Sequence, residues 1–129
     1  MEYRFDDKVR YSKTHEWVRG DGAEAVIGVS DYAQNKLSDI VFIELPAVGK
    51  VLQAGTACMV IESVKAAEEV FAPVSGSVSV RNEKLEKTPE LVNQDPFGEG
   101  WLVKVKLSDA KELDSLMDAA AYRAYVQTL

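Results

Sequence analysis

The sequence predicts a mostly-β fold: a sandwich of two similar half-sheets, with a short inserted helix and a helical C-terminal tail. Three observations carry that expectation. Runs of strand length with apolar and polar residues in alternation recur along the chain, "WLVKVKL" at 101–107 being the clearest. They are separated by Gly, Pro, Asn and Asp, which favour turns. The motif P-x-x-G-x-V occurs twice, as "PAVGKV" at 46–51 and "PVSGSV" at 73–78, as two half-sheets related by a pseudo-twofold would have it.

In chain order, residues 15–19 and 23–29 flank "GDG", a hairpin turn signal, and Ala25, Ile27 and Val29 alternate toward a core. Ser30 or Asp31 then caps a short helix ending near Leu37, with Asp31 and Gln34 spaced as in a capping box. "DIVFIELP" reads as a strand stopped by Pro46. From Pro46 to Asn82 short strands alternate with turns at Gly49, Gly55 and Gly76, and Val78 and Val80 read as the inward face of a half-buried strand. Glu83 to Lys87 makes a helical turn within the turn-rich stretch 82–100. In "WLVKVKL", Trp101, Val103, Val105 and Leu107 face one way, and Lys104 and Lys106 the other. Ser108 or Asp109 caps the tail, in which Leu113, Leu116 and Met117 form one stripe and Tyr122, Tyr125, Val126 and Leu129 another. The expected organisation is one domain over residues 1–129, with a core of about 11–107 and a helical tail of about 108–129.

Composition narrows the function. The chain has 129 residues, 47% hydrophobic and 28% charged, as expected of one soluble globular domain. A net charge of −6 without Lys/Arg clusters argues against nucleic-acid binding and suits encounter with basic protein surfaces. The longest apolar run, "IVFIELPAVG", contains Glu44 and Pro46, so no membrane span is expected. The N-terminal segment lacks the apolar stretch of a signal peptide, which predicts a cytoplasmic protein, or one of the mitochondrial matrix if a transit peptide has been removed. No long apolar stripe is left over, so a monomer is expected.

Catalytic constellations are scarce. One cysteine and one histidine exclude an internal disulfide and a Cys/His zinc set. Cys58, beside Ala57, Met59 and Val60, reads as a small buried hydrophobe, and His15 as a hydrogen-bonded strand residue, rather than as a thiol–imidazole pair. Neither G-x-G-x-x-G nor G-x-x-x-x-G-K occurs, and Glu62, Glu68, Glu69, Glu83 and Glu86 read as solvated acids. The expectation is a protein that is not an enzyme. Lys65 stands between two strand-like runs, where a hairpin must turn. A lysine there offers a primary amine on a flexible stem, which suits amide formation with a carboxylate cofactor. On local context alone, a solvated surface lysine is the better account.

"ESVKAAEEVFAPVSGSV", with "HEWV", "IGVSDYAQNKLSDIVFIELPAVG", "NEKLEKTPELVNQDPFGEGWLVKVKLSDAKELDSLM" and "AYRAY", resembles the H proteins of the glycine cleavage system, fragment by fragment and in order, from about Tyr11 to Tyr125. The resemblance implies a flattened, pseudo-symmetric lipoyl/biotinyl-type β-sandwich (a barrel-sandwich hybrid). Lipoate would be bound to Lys65 as lipoyllysine, on a hairpin tip whose attachment motif is Glu62, Ser63, Val64 and Ala66. It implies a shuttle that takes an aminomethyl group from the P protein to the T protein and presents dihydrolipoyl to the L protein. A lipoate-protein ligase or lipoyl transferase would modify it. It also implies a cleft for the loaded arm at Thr14, Glu16 and Glu69, where an ammonium would find acceptors. Many relatives carry serine at position 14 and aspartate at position 69, and "SVSVRNEKLEK" is more basic than the usual segment. An H-like carrier that relays lipoyl groups or serves another lipoate-dependent system is the alternative. A biotinyl carrier is disfavoured, since its lysine normally lies between methionines and here Val64 and Ala66 flank it.

Overall fold

A computed structural model describes residues 2–129 as two antiparallel sheets packed face to face. In chain order the strands are β1 (Arg10–Tyr11), β2 (Glu16–Asp21), β3 (Glu24–Val29), β4 (Ile40–Glu44), β5 (Val51–Leu52), β6 (Ala57–Ser63), β7 (Ala67–Phe71), β8 (Gly76–Arg81) and β9 (Val103–Leu107). The larger sheet has the order β1-β2-β3-β9-β8-β5, and the smaller the order β4-β6-β7. Helix α1 (Asp31–Leu37) joins the sheets, and α2 (Lys84–Lys87) and α3 (Leu91–Gln94) precede β9. A 3-10 turn (Ala110–Ser115) and α4 (Ala119–Val126) follow it.

The main core lies between the sheets. Ala25, Ile27, Val103 and Val105 from the larger sheet meet Ile43, Met59, Ile61 and Val70 from the smaller one. Burial of such β-branched and aliphatic side chains is the main driving force for the sandwich. A second cluster lies on the opposite face of β1 and β2, where Tyr11 and Trp17 pack against Ala119, Tyr122 and Val126 of the tail. Trp17 and Val18 are consecutive and point to opposite faces of β2, so one strand contributes to both cores.

The two echoed motifs pair with each other: Val51 lies opposite Ser77 and Leu52 opposite Gly76 in the antiparallel β5–β8 ladder. Their glycines act differently. Gly49 turns the chain at φ 92, whereas Gly76 belongs to the strand, where a Cβ would overlap the Lys106 carbonyl. Gly76 is therefore no turn residue.

Other local expectations are corrected by packing. The β2–β3 turn is at Gly22 and Ala23, with Gly20 and Asp21 inside the ladder. Ser30 is the N-cap of α1, accepting from Ala33 N; Gln34 Nε2 donates to Asp31 Oδ1 from one turn further on, so no capping box forms. A register shift between Val78 and Val80 turns Val80 outward, to 45% exposure, because the bulge breaks the two-residue period. Leu102, not Trp101, continues the ladder toward Ile27, and Trp101 packs with the second cluster. The C-terminal tail is helical as expected, in two pieces: Met117, past the 3-10 turn, bridges with Tyr11, and Asp118 caps α4 anew. Leu129 lies beyond the end of α4 and is exposed.

Candidate functional site

Lys65 is exposed at the tip of the β6–β7 hairpin, inside the three-residue turn Val64-Lys65-Ala66. The turn is held by its own serine. Ser63 N donates to the Ala66 carbonyl at 2.8 Å, and Ser63 Oγ accepts from the Lys65 and Ala66 amides, both at 3.2 Å. Serine hydroxyls mimic backbone turn bonds in this way. On the other side, Val64 N donates to the Asp39 carbonyl at 3.0 Å, which ties the tip to the loop before β4. The backbone at Lys65 is thus fixed from both flanks while its amine stays in water. Glu62 is exposed and pairs with Ala67 across the hairpin.

Beside this hairpin is a cavity of about 180 Å³ lined by Thr14, His15, Glu16 and α1 on one side and by Ile61, Glu68, Glu69 and Val70 on the other. All three residues expected to hold the loaded arm border it: Thr14 and Glu16, two residues apart, meet Glu69 from more than 50 positions further along the chain. Glu69 is exposed at the rim on β7, four residues past Lys65 in the chain.

Glu16 is unlike the others. It is only 2% exposed, and its Oε1 accepts from Ser12 Oγ at 2.7 Å and from Thr14 Oγ1. Its Oε2 accepts from the Phe71 amide at 3.1 Å. Burial raises its carboxyl above the ordinary carboxylate range, and the three donors oppose that shift. Since both oxygens are engaged, Glu16 fastens the Ser12–His15 corner to β7. The carboxylates left open to a cation in the cleft are those of Glu68 and Glu69.

His15 makes the corner sharp. Its φ of 77 lies in the left-handed region, which histidine tolerates better than most side chains. Its amide donates to the Ser12 carbonyl at 3.1 Å, and its carbonyl accepts from Ser30 N at 2.9 Å. Desolvation lowers its pKa, which favours the neutral imidazole. Cys58 is half-buried with Sγ 3.4 Å from the Val70 carbonyl, and burial, with the Glu16 charge, pushes its thiol up to about 11. It does not line the cavity, so His15 and Cys58 form no nucleophilic pair there.

Sequence reasoning missed Tyr32, Lys36 and Leu37 as cleft residues and Ser12 as a partner of Glu16. Tyr32 and Lys36 are one turn apart on α1, so they share a face. Only the placement of α1 against β7 brings that face to the cleft. Among the described residues, no group of three or more His, Cys, Asp or Glu could hold a metal ion, and no helix is long and apolar enough to cross a membrane.

Comparison with known proteins gives a consistent result. The family profile described as glycine cleavage H-protein matches residues 9–129. The chain is 54% identical over 121 residues to a glycine cleavage system H protein of Parvibaculum lavamentivorans, covering 94% of this chain and 97% of the relative. It is 52% identical over 120 residues to that of Beijerinckia indica, covering 93% and 97%. The crystal structure of a glycine cleavage system H protein from Mycobacterium marinum superposes with a TM-score of 0.86 at 29% identity, covering 96% of this chain and 99% of that one.

Proposed function

The chain belongs to the glycine cleavage H-protein family, and from that premise we propose that it is the lipoyl-carrying shuttle of a glycine cleavage system, with Lys65 as the attachment point. Proteins of this family carry a lipoyl group on a lysine. The observation that carries the assignment is the placement of Lys65: exposed, on a turn fixed by Ser63 and Asp39, beside a cleft with the right chemistry.

The residues present fit the group. Val29, Leu37, Ile61 and Val70 give the cleft an apolar wall for a hydrocarbon chain, and Glu68 and Glu69 give acceptors for an amine. When bound, the lipoyl group supplies a disulfide–dithiol pair that takes up a one-carbon amine unit and two electrons. The chain itself provides the rest. Ser63 and the Val64–Asp39 bond keep the Lys65 amine presented to a ligase or lipoyl transferase, and later to partner enzymes. Glu69 holds the ammonium of the aminomethyl cargo, Glu16 holds Thr14 in place, and the apolar wall keeps water away from the cargo between visits to the P and T proteins. The chemistry of decarboxylation, transfer and reoxidation by the L protein belongs to the partners, so the shuttle is not an enzyme.

Lipoylation is tested by co-expression with a lipoate ligase and lipoate, followed by mass analysis of the peptide that contains Lys65. The expected result is the lipoyl increment on that peptide and its loss in Lys65→Arg, which keeps the positive charge but has no primary amine to acylate. An unmodified Lys65 peptide would overturn the assignment.

A further inference from the structure

Three side chains from distant parts of the chain form a hydrogen-bonded line that ends at the cleft. Ser30 Oγ is 2.7 Å from Tyr122 Oη, and Tyr122 Oη is 2.8 Å from His15 Nδ1. Ser30 is 1% exposed and Tyr122 0% exposed, so each hydroxyl proton needs an acceptor inside the protein. Counting donors then orients the line. Ser30 Oγ has two partners among the described residues: the Ala33 amide, which donates to it at 3.1 Å, and Tyr122 Oη. An amide N–H cannot accept, so the Ser30 proton goes to Tyr122 Oη. The Tyr122 proton therefore goes to His15 Nδ1, the one other partner of that hydroxyl among the described residues. Nδ1 being an acceptor, the neutral ring carries its hydrogen on Nε2, which has no hydrogen-bond partner among the described residues and is not among their buried partnerless atoms.

We propose that His15 is a further residue of the arm cleft, a neutral Nε2–H donor fixed in that tautomer by the Ser30–Tyr122 line, and that Tyr122 is its positioning residue. The role in the cleft rests on the carrier reading above. His15 borders the same cavity as Thr14, Glu16 and Glu69. Its ring packs 4.7 Å from that of Tyr32 and 5.9 Å from that of Tyr125, which fixes its plane. As a donor it complements the carboxylates: they receive the amine of the cargo, while the imidazole N–H meets an acceptor on the arm, a sulfur or a carbonyl oxygen. A histidine with the opposite tautomer would present a lone pair and compete with Glu69 for the ammonium. The helix α4, far from the cleft in sequence, thereby helps to define it.

The experiment reads the tautomer and the cargo separately, on the full-length protein. Long-range proton–nitrogen correlation spectra, taken above the titration range of His15, are expected to show the Nε2–H form in wild type. Tyr122→Phe keeps the ring stacked on Tyr11 and removes only the hydroxyl, so a mixture of tautomers is expected. Ser30→Asp retains a good N-cap but brings an acceptor without a proton, which turns the line round and predicts the Nδ1–H form. In lipoylated protein loaded with glycine, Tyr122→Phe is expected to lose the aminomethyl group about fivefold faster, the factor that goes with one ordinary hydrogen bond. An Nδ1–H form in wild type, or a tautomer unmoved by both substitutions, would overturn the line. Cargo loss unchanged in Tyr122→Phe overturns the cleft role. Failure to lipoylate Lys65 overturns the carrier reading and the cleft role with it, whereas the tautomer is read on unmodified protein and is decided either way.

Discussion

At the residue scale, Glu16 and Glu69 have different jobs in the cleft, and pH and mutation separate them. Glu16 is buried and its carboxyl is raised above its ordinary value of 4.5 by desolvation. The folded state thus binds that proton more tightly than the unfolded chain. Its contribution to stability is fully present below about 4.5 and is lost as pH rises through the folded value. Glu16→Gln does not titrate there, so denaturant unfolding at a series of pH values should show wild type losing ground to the variant as pH rises from 4 toward neutrality. A difference that is flat with pH would show that Glu16 is not raised. Glu69, exposed at the rim, plays no such structural part. Glu69→Ala should leave the unfolding free energy within about 0.5 kcal/mol of wild type. It should speed loss of the aminomethyl group from the loaded arm. Unchanged loss kinetics would remove Glu69 from the cleft assignment.

The element that depends most on a single residue is the β2–β3 hairpin. Gly28 lies directly opposite Trp17, and the indole covers the space where a side chain would be. Trp17 is fully buried and its Nε1 donates to the Pro96 carbonyl at 3.0 Å, so the ring cannot swing away freely. Gly28→Ala is therefore expected to cost about 2–3 kcal/mol, as overpacking of a fixed core does. A lower urea midpoint with an unchanged slope would be the sign of it. A change under 0.5 kcal/mol would mean that the indole yields. The same hairpin was legible in the sequence, because "GDG" and the alternation of Ala25, Ile27 and Val29 are local signals. Val80 and Trp101 depart from the local period because a bulge and the end of a ladder are decided by the partner strand.

At the scale of the molecule, the two cores are not independent. Trp17 belongs to the cluster under α4 and Val18 to the sandwich, one peptide bond apart on β2. Neither cluster can dissolve without freeing the strand that carries the other. Fluorescence of the two tryptophans, Trp17 and Trp101, both in the cluster under α4, should therefore follow the same denaturation curve as far-ultraviolet circular dichroism, which reports mainly on the sheets. Separate midpoints would divide the chain into two cooperative units and count against a single domain over 1–129.

The sequence by itself determined the strand-rich architecture, the short helix at Asp31–Leu37 and the one lysine placed on a hairpin tip. Those features depend on turn chemistry and on side-chain period, which act over a few residues. Thr14, Glu16 and Glu69 were found through resemblance, and composition could not have singled them out among 21 acidic residues and many hydroxyls. Only the tertiary structure decided how they differ: Glu16 closes on Ser12, Thr14 and an amide 55 residues away, while Glu69 remains open. It alone joined Ser30 and Tyr122, 92 residues apart, to His15. The physical reason is that the state of a buried polar group is set by the partners that packing brings to it, and no local rule of sequence names them.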